Sequence, residues 1–242
     1  MTNDQVVNDQ GISNYQTRIT WRLVIDNWKL VIPWSLGFEF WSFSYHTFLM
    51  IPKLILASAS PQRKTLLEGL GMKFDVVVSS VDESSHPESD PAKRALVLAK
   101  MKAQDVASQK PNCFVIGCDT LVVTNKGKLL EKPADASEAR MMLALQSGAV
   151  SVVHSALCVI GPDGKSVEGA SSSDVHFKKL SEKEMDWWIG TKLWQGRSGA
   201  FQIDGPGQLM IERIEGDWTG IVGLPVFLLG ELLNNVGWKR VF

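Results

Sequence analysis

The sequence predicts an α/β domain, and three observations support this fold class. From Lys53 onward, short apolar runs typical of strands alternate with segments of helical periodicity. The 242 residues are 45% hydrophobic and 21% charged, a globular composition with enough apolar residues for a sizeable core. Serine, proline and glycine residues also stand where helix ends are expected. We expect the domain to cover residues 50–242, because Met50 opens the apolar run MIPKLILAS.

Residues 1–49 differ from the rest, since their tryptophans and aromatic run follow neither a helical nor an alternating period. Pro33 and Glu39 interrupt the only stretch that could span a membrane, and the polar start lacks the positive region of a signal peptide. We therefore expect an N-terminal extension that is disordered or not part of the functional protein, and no membrane partner.

The first half of the domain is predicted to alternate strands with helices. Ser60 and Pro61 are a good N-cap and first helical residue, and Gly71 ends that helix. Small apolar residues and Lys102 recur at helical spacing in the second helix. The predicted elements are the strand LILA at 54–57, a helix at 61–71, the strand FDVVVSSV at 74–81, a helix at 91–107, the strand CFVIGCD at 113–119, and LVVT after it.

The second half is predicted to contain a long hairpin between helices. Two apolar runs flank the turn PDGK, and SEKE is a capping box for a short helix. The predicted elements are a helix from Asp135 or Ser137 to Gly148, hairpin strands at 150–161 and 166–180, a helix after 181, strands around AFQIDG and LMIERI, and a last helix from Pro225 to near Gly237.

Charge and cysteine content exclude several classes of protein. The net charge of -1 gives no basic excess, so we expect no nucleic-acid polymer as a partner. The three cysteines lack a C-x-x-C spacing, which argues against a disulfide framework or a zinc site and favours a reducing, cytoplasmic location.

The turn SASPQR, between the first strand and the first helix, is a candidate phosphate-binding site. A helix N-terminus offers unpaired N–H groups and favours anions. Ser58 and Ser60 add hydroxyl donors, and Arg63 adds a guanidinium suited to two-point contact. The alternative is an ordinary helix cap with a solvated arginine.

Carboxylates follow two of the predicted strands. Asp119 is expected to end an apolar strand, where open α/β sheets place ligand residues, and Asp82 and Glu83 close another strand. Brought together, such carboxylates could hold Mg²⁺ with phosphate oxygens. The alternative is that Asp82 and Glu83 are only polar loop residues.

Lys102 and Lys132 supply positive charge. Either side chain alone could extend to solvent without binding a ligand. Together with Arg63, Asp119 and Glu83, they form a group of both charge signs, as metal-assisted phosphoryl chemistry requires.

These segments, taken in order, resemble the Maf family of nucleoside triphosphate pyrophosphatases. The resemblance rests on LILASASPQRKTLLEGLGMKF, VDE, LAKMKAQ, GCDTLVV, EKPADASEARMML, LQSG, FKKLSEKEM, GAFQIDGPG and GDWTGIVGLPVFLL. It covers the chain from about Lys53 to Gly237 and does not extend to residues 1–49.

The resemblance implies a two-lobed α/β fold of the Maf and ITPase-like kind, with a mixed twisted sheet flanked by helices and a cleft between the lobes, often as a homodimer. It implies hydrolysis of a nucleoside triphosphate to the monophosphate and pyrophosphate, with a divalent cation such as Mg²⁺ or Mn²⁺. By position, Asp119 would accept the proton of the attacking water, and Glu83 would help to place the metal or the water. The phosphates would be held by Ser58, Ser60, Arg63, Lys102 and Lys132.

Three positions bear on the choice of base. Many members have SPRR, and a branch linked to methylated guanine nucleotides has SPWR, whereas this chain has Gln62. The pyrimidine-preferring branch has GAYGIQG, with glutamine where this chain has Asp204. The threonine that follows the catalytic aspartate in the family is kept here as Thr120. Non-standard or surplus nucleotides are the expected substrates, with the base left open.

Two other functions stay open. A nucleotide-sensing regulator of division or growth would bind without turnover, although binding alone does not require a general base. A metal-dependent phosphomonoesterase would release inorganic phosphate instead of pyrophosphate.

Overall fold

The computed structural model describes residues 52–83 and 88–239. The predicted boundary at Met50 and the predicted extension 1–49 lie outside these residues. Within the described part of the chain, the predicted α/β fold is confirmed, because a seven-stranded mixed sheet is flanked by helices.

Seven strands and six α-helices form the described part of the chain. The strands are β1 (Leu54–Ala57), β2 (Asp75–Val76), β3 (Phe114–Thr124), β4 (Leu129–Leu130), β5 (Val150–Ile160), β6 (Ser166–Phe177) and β7 (Ile211–Glu215). The helices are α1 (Pro61–Gly69), α2 (Pro91–Gln109), α3 (Ala136–Gln146), α4 (Glu182–Thr191), α5 (Trp218–Val222) and α6 (Val226–Asn235).

Side chains cap three of the predicted helices. Asp90 accepts a hydrogen bond from the Lys93 backbone N–H at 3.1 Å at the start of α2. Asp135 caps α3 in the same way, and α4 has the predicted capping box. Because these caps satisfy N–H groups that a helix leaves unpaired, local sequence was enough to predict where the helices begin.

The sheet has an opening beside the middle of β3. Its strand order is β2-β1-β3-β5-β6-β7, with β4 paired to β3 next to β1. On one edge, β3 pairs in parallel with β1 through residues 114–117 and antiparallel with β4 through 122–123. On the other edge it pairs with β5 from Val115 to Thr124. In the described part of the chain, residues 118–121 therefore lack a strand neighbour on the first edge.

Three predicted strands differ from the structure. β3 does not end at Asp119 but continues to Thr124, since β5 pairs with it along this whole length. The strand predicted at 74–81 is reduced to the two residues of β2. AFQIDG is not a strand, because its first residue, Ala200, ends a 3₁₀ turn at Ser198–Ala200 and bends follow at 203–205.

Close packing of α2 on the sheet brings Lys102 near β3. Gly117 makes this approach possible, because a Cβ at this position would lie 2.1 Å from the Ala99 carbonyl oxygen and 2.7 Å from the Ala103 nitrogen. Ala95, Ala99 and Ala103 are fully buried in the same apolar cluster. Small residues on both surfaces thus set the distance between helix and strand.

Two further apolar clusters pack on either side of the opening in the sheet. One joins β1, α1 and α6, with Leu56, Leu67 and Leu229 fully buried. The other surrounds Trp188 of α4, whose indole N–H donates to the Ala200 carbonyl oxygen at 2.8 Å. In the ranges that the structure describes, no helix combines the length and the apolar character needed to cross a membrane.

Candidate active site

A cleft of about 640 Å³ opens at the gap beside the middle of β3. It is lined by α1 and the turn before it, by α2 and β3, by the segment after β4, and by residues 195–204. All ten residues selected from the sequence line this cleft: Ser58, Ser60, Gln62, Arg63, Glu83, Lys102, Asp119, Thr120, Lys132 and Asp204. Residues that are far apart in sequence therefore meet in one site.

Arg63 joins three separate segments at one end of the cleft. Its Nε donates to the Gly223 carbonyl oxygen at 2.9 Å. Its Nη1 donates to the Ser58 hydroxyl at 2.9 Å and to the Cys118 carbonyl oxygen at 3.2 Å. Its Nη2 donates to the Thr120 hydroxyl at 3.1 Å. The alternative of a solvated arginine beside an ordinary cap is wrong, because this guanidinium donates its hydrogen bonds to acceptors of the protein itself.

The network around Arg63 continues behind the cleft. The Thr120 hydroxyl lies 3.0 Å from the Ser155 hydroxyl of β5, which donates to the Gly220 carbonyl oxygen at 2.5 Å. Gly223 has φ +121°, a conformation that side chains disfavour, and a Cβ there would lie 3.4 Å from both Arg63 and Thr120. The turn after α5 is thereby fixed against the cleft wall.

The turn before α1 leaves the start of the helix open. Ser60 occupies the N-cap position, but its hydroxyl makes no capping hydrogen bond. It donates to the Gln62 side-chain oxygen at 3.3 Å, and the Ser60 backbone N–H donates to the Ser58 hydroxyl at 3.2 Å. Gln62 therefore lies on the cleft surface with a polar contact inside its own turn.

Lys102 connects two carboxylates at the centre of the cleft. Its ammonium lies 2.6 Å from Asp119 Oδ1 and 2.9 Å from Glu83 Oε1. Lys102 is 7% exposed and Asp119 is 4% exposed, so the alternative in which this lysine extends to solvent is wrong. The second oxygen of Asp119, Oδ2, is buried and has no hydrogen-bond partner among the described residues.

Glu83 is the exposed member of this group, with half of its side chain accessible. Burial by itself raises the pKa of Glu83. The hydrogen bond from Lys102 and the positive charges of Lys102, Lys132 and Arg63 outweigh burial and bring the pKa below its ordinary value. Glu83 is therefore ionised at neutral pH.

Several further side chains that the sequence did not indicate also line the cleft, among them Arg94, Glu131, Arg197 and Gln202. Burial lowers the pKa of Arg197, and the charge of Asp204 opposes this change. Gln202 Oε1 is buried without a hydrogen-bond partner in the described part of the chain. Arg94 had one signal in the sequence, since it precedes Lys102 by eight residues on the same face of a helix.

The carboxylates in the cleft are suited to a divalent cation. Among the described residues, Asp119 has an unpaired buried oxygen and Glu83 has an accessible carboxylate, and hard cations such as Mg²⁺ prefer oxygen ligands of this kind.

The ligand atoms of a second group, Asp174, His176 and Glu215, lie within 4.8 Å of one another outside the cleft lining. The Arg213 guanidinium pairs with Glu215 and lies 3.2 and 3.3 Å from the His176 ring nitrogens, so its charge opposes a metal there.

Comparison with known proteins shows the family of this chain. Residues 53–236 match the family model described as Maf-like protein. The chain belongs to the Maf family. A relative from Deinococcus radiodurans named dTTP/UTP pyrophosphatase is 43% identical over 186 residues, which cover 77% of this chain and 94% of the relative. A relative from Treponema denticola with the same name is 41% identical over 77% of this chain and 98% of the relative.

A third Maf relative, from Pyrococcus furiosus, is also named dTTP/UTP pyrophosphatase and is 40% identical over 78% of this chain and 99% of its own. Among solved structures, a HAM1 protein from Coxiella burnetii aligns with 76% of this chain and 99% of its own, at 10% identity and a TM-score of 0.42. The family model and the three relatives confirm the resemblance to the Maf family seen in the sequence.

Proposed function

We propose that this protein hydrolyses nucleoside triphosphates between the α- and β-phosphates and releases a nucleoside monophosphate and pyrophosphate. The observation that carries the proposal is how the two carboxylate oxygens of Asp119 are bound, in a chain of the Maf family. One carboxylate oxygen is held by Lys102, while the other is buried in the cleft without a partner among the described residues. The names of the relatives, dTTP/UTP pyrophosphatase, support the same reaction.

Asp119 Oδ2 is the proton acceptor in this proposal. A water oxygen forms a bond to the α-phosphorus and gives a proton to Asp119. The bond between that phosphorus and the oxygen bridging to the β-phosphorus breaks, and its electron pair leaves with pyrophosphate. Lys102 holds Oδ1 at 2.6 Å and so leaves Oδ2 as the oxygen that accepts the proton.

The phosphates require positive charge, and the cleft offers it in several places. Lys132 is exposed on the wall formed by the segment after β4. The N-terminus of α1, which Ser60 leaves uncapped, offers backbone N–H groups to an anion. Preorganised donors of this kind stabilise charge that develops on the departing pyrophosphate.

Asp119 and Glu83 would hold a divalent cation, Mg²⁺ or Mn²⁺, together with phosphate oxygens. When bound, the cation would neutralise phosphate charge and make the phosphorus easier to attack. The ionised state of Glu83 at neutral pH suits this role.

Pyrimidine triphosphates are the first substrates to test, since the relatives are named for dTTP and UTP. Gln62 departs from the SPRR of many family members, Asp204 departs from the pattern of the pyrimidine-preferring branch, and both line the cleft. We propose that these two residues, with Thr120, set the preference for the base. A panel of standard and modified triphosphates, assayed on the wild type and on Gln62→Arg and Asp204→Gln, tests this. Unchanged preference in both variants would contradict it.

The decisive experiment compares the wild type with Asp119→Asn, using purified protein with Mg²⁺ or Mn²⁺ and identifying the products. We expect pyrophosphate from at least one triphosphate in the wild type, and no turnover in Asp119→Asn at an unchanged circular-dichroism spectrum. Nucleotide binding without turnover would favour the sensor. Inorganic phosphate as the first product would favour the phosphomonoesterase.

We also propose that the protein is cytoplasmic and forms a homodimer, as its relatedness to the Maf family suggests. Cell fractionation and light scattering would measure location and mass. Recovery in a membrane or organelle fraction, or the mass of a single chain, would contradict these proposals.

A further inference from the structure

Arg94 is a cationic residue of the cleft that makes few contacts with the described residues. It lies on α2 at the same face as Leu98 and Lys102, at intervals of four residues, and all three line the cleft. Its side chain is 18% exposed, so the guanidinium is mostly removed from water.

The contacts of Arg94 contrast with those of Arg63. Arg63 donates to four acceptors at 2.9 to 3.2 Å through all three of its nitrogens. Both contacts of Arg94 in the described part of the chain come from Nη2, at 3.4 Å to the Glu83 carbonyl oxygen and 3.3 Å to Glu131 Oε1. Its Nε is buried and has no acceptor among the described residues. Because buried donors are nearly always paired in proteins, this guanidinium has fewer acceptors among the described residues than its burial calls for.

The contacts of Glu83 place the Arg94 guanidinium relative to the Lys102 ammonium. Lys102 holds the carboxylate of Glu83, and Arg94 contacts the backbone carbonyl of the same residue. The Arg94 guanidinium is therefore about one glutamate side chain away from the ammonium that holds Asp119. A triphosphate whose α-phosphorus lies beside Asp119 would then bring its next phosphates, rather than that phosphorus, towards the Arg94 guanidinium.

Glu131 is a partner that a ligand can replace. Its side chain is 63% exposed and its contact with Arg94 is long, so this ion pair contributes little stabilising free energy. Phosphate oxygens offer a guanidinium two parallel, charge-assisted hydrogen bonds. We propose that Arg94 binds the β- and γ-phosphates of the substrate, the part that leaves as pyrophosphate, and that Glu131 holds Arg94 in the free enzyme. This inference rests on the proposed function.

Calorimetric titration with Mg²⁺-pyrophosphate and with a nucleoside monophosphate tests the inference without requiring turnover. We expect Arg94→Met to weaken pyrophosphate binding roughly tenfold to a hundredfold, as for a lost hydrogen bond between charged groups. Monophosphate binding should stay within about twofold, since Arg94 would contact only the departing group. Arg94→Lys should fall in between, because an ammonium keeps the charge but not the paired donors.

Lys93→Met is the matched control. It removes the same charge from the neighbouring position on α2, where the side chain is exposed and does not line the cleft. We expect wild-type binding of both ligands. Equal losses for pyrophosphate and monophosphate in Arg94→Met, or the same loss in Lys93→Met, would overturn the inference. If the wild type releases pyrophosphate but Arg94→Met binds it normally, the inference fails while the proposed function stands.

Glu131→Gln tests the second half of the inference. Freed from its carboxylate partner, Arg94 should bind pyrophosphate several-fold more tightly, and this gain should vanish when Arg94→Met is added. A gain of the same size in the double variant would mean that Glu131 acts through the general charge of the cleft. That result would overturn the role of Glu131 as the resting partner of Arg94.

Discussion

Replacing Lys102 by methionine should destabilise the protein strongly, because it would leave a carboxylate buried without its counter-charge. Asp119 is 4% exposed, and its Oδ1 lies 2.6 Å from the Lys102 ammonium. Removing one member of a buried ion pair typically costs about 3–5 kcal/mol of unfolding free energy. In a domain of this size, each kcal/mol shifts the melting temperature by about 2–4 °C, so a loss of roughly 6–20 °C is expected.

Urea unfolding followed by circular dichroism at pH 8 would measure this loss. The matched control is Lys100→Met on the same helix, because Lys100 pairs with Glu168 at 3.3 Å while both side chains are about 45% and 43% exposed. An exposed pair of this kind contributes less than about 1 kcal/mol. If Lys102→Met lost no more free energy than Lys100→Met, the buried pair would not stabilise the fold as argued.

A double variant isolates the buried charge as the cause. Adding Asp119→Asn to Lys102→Met removes the uncompensated charge and should restore most of the lost free energy of unfolding. A double variant as unstable as Lys102→Met alone would point to lost packing instead.

Arg63→Met should lower the unfolding free energy by at least about 2 kcal/mol. Arg63→Lys should not restore this free energy, because an ammonium cannot reach acceptors in three segments. Full rescue by lysine in urea unfolding would contradict this. Burial raises the pKa of Cys118 to about 11, whereas Cys113 is partly exposed. A thiol reagent at pH 8 should therefore modify about one of the three cysteines quickly in the folded protein, and all three after denaturation. A second fast thiol in the folded protein would refute the burial. Gly117→Ala should cost about 3 kcal/mol, since its Cβ would meet the backbone of α2. Gly69→Ala, with open space around it, should leave the melting temperature unchanged or raise the stability by roughly 0.5 kcal/mol.

Local signals were sufficient for the helices and the hairpin, because caps and periodicity act over a few residues. Ser181 and Glu184 form the predicted capping box, and PDGK joins β5 to β6 as expected. The extent of β3 was not predictable in this way. A carboxylate within an apolar run suggested a strand end at Asp119, but the pairing of β3 with β5 depends on residues about 35 positions away.

The candidate site was predictable as a set of residues but not as a set of contacts. Strand ends, a helix start and scattered charges indicated seven positions, and the resemblance to the Maf family added Gln62, Thr120 and Asp204. All ten line one cleft. Which acceptors Arg63 uses could not be inferred, since Gly223 is 160 positions away in the sequence. Arg94 was missed because a single arginine on an amphipathic helix usually faces solvent.

The opening in the sheet explains why the contacts of Arg63 and Arg94 differ. β1 ends opposite Gly117, so the Cys118 carbonyl oxygen lies just beyond the last parallel pair, and Arg63 donates to it at 3.2 Å. A buried carbonyl at the end of a ladder requires a donor, and Arg63 supplies one where β1 stops. Variants of Arg63 would therefore change the assembly of the cleft and the affinity for phosphate at the same time. Arg94, which makes two long contacts among the described residues, is the arginine whose replacement can report on phosphate binding separately.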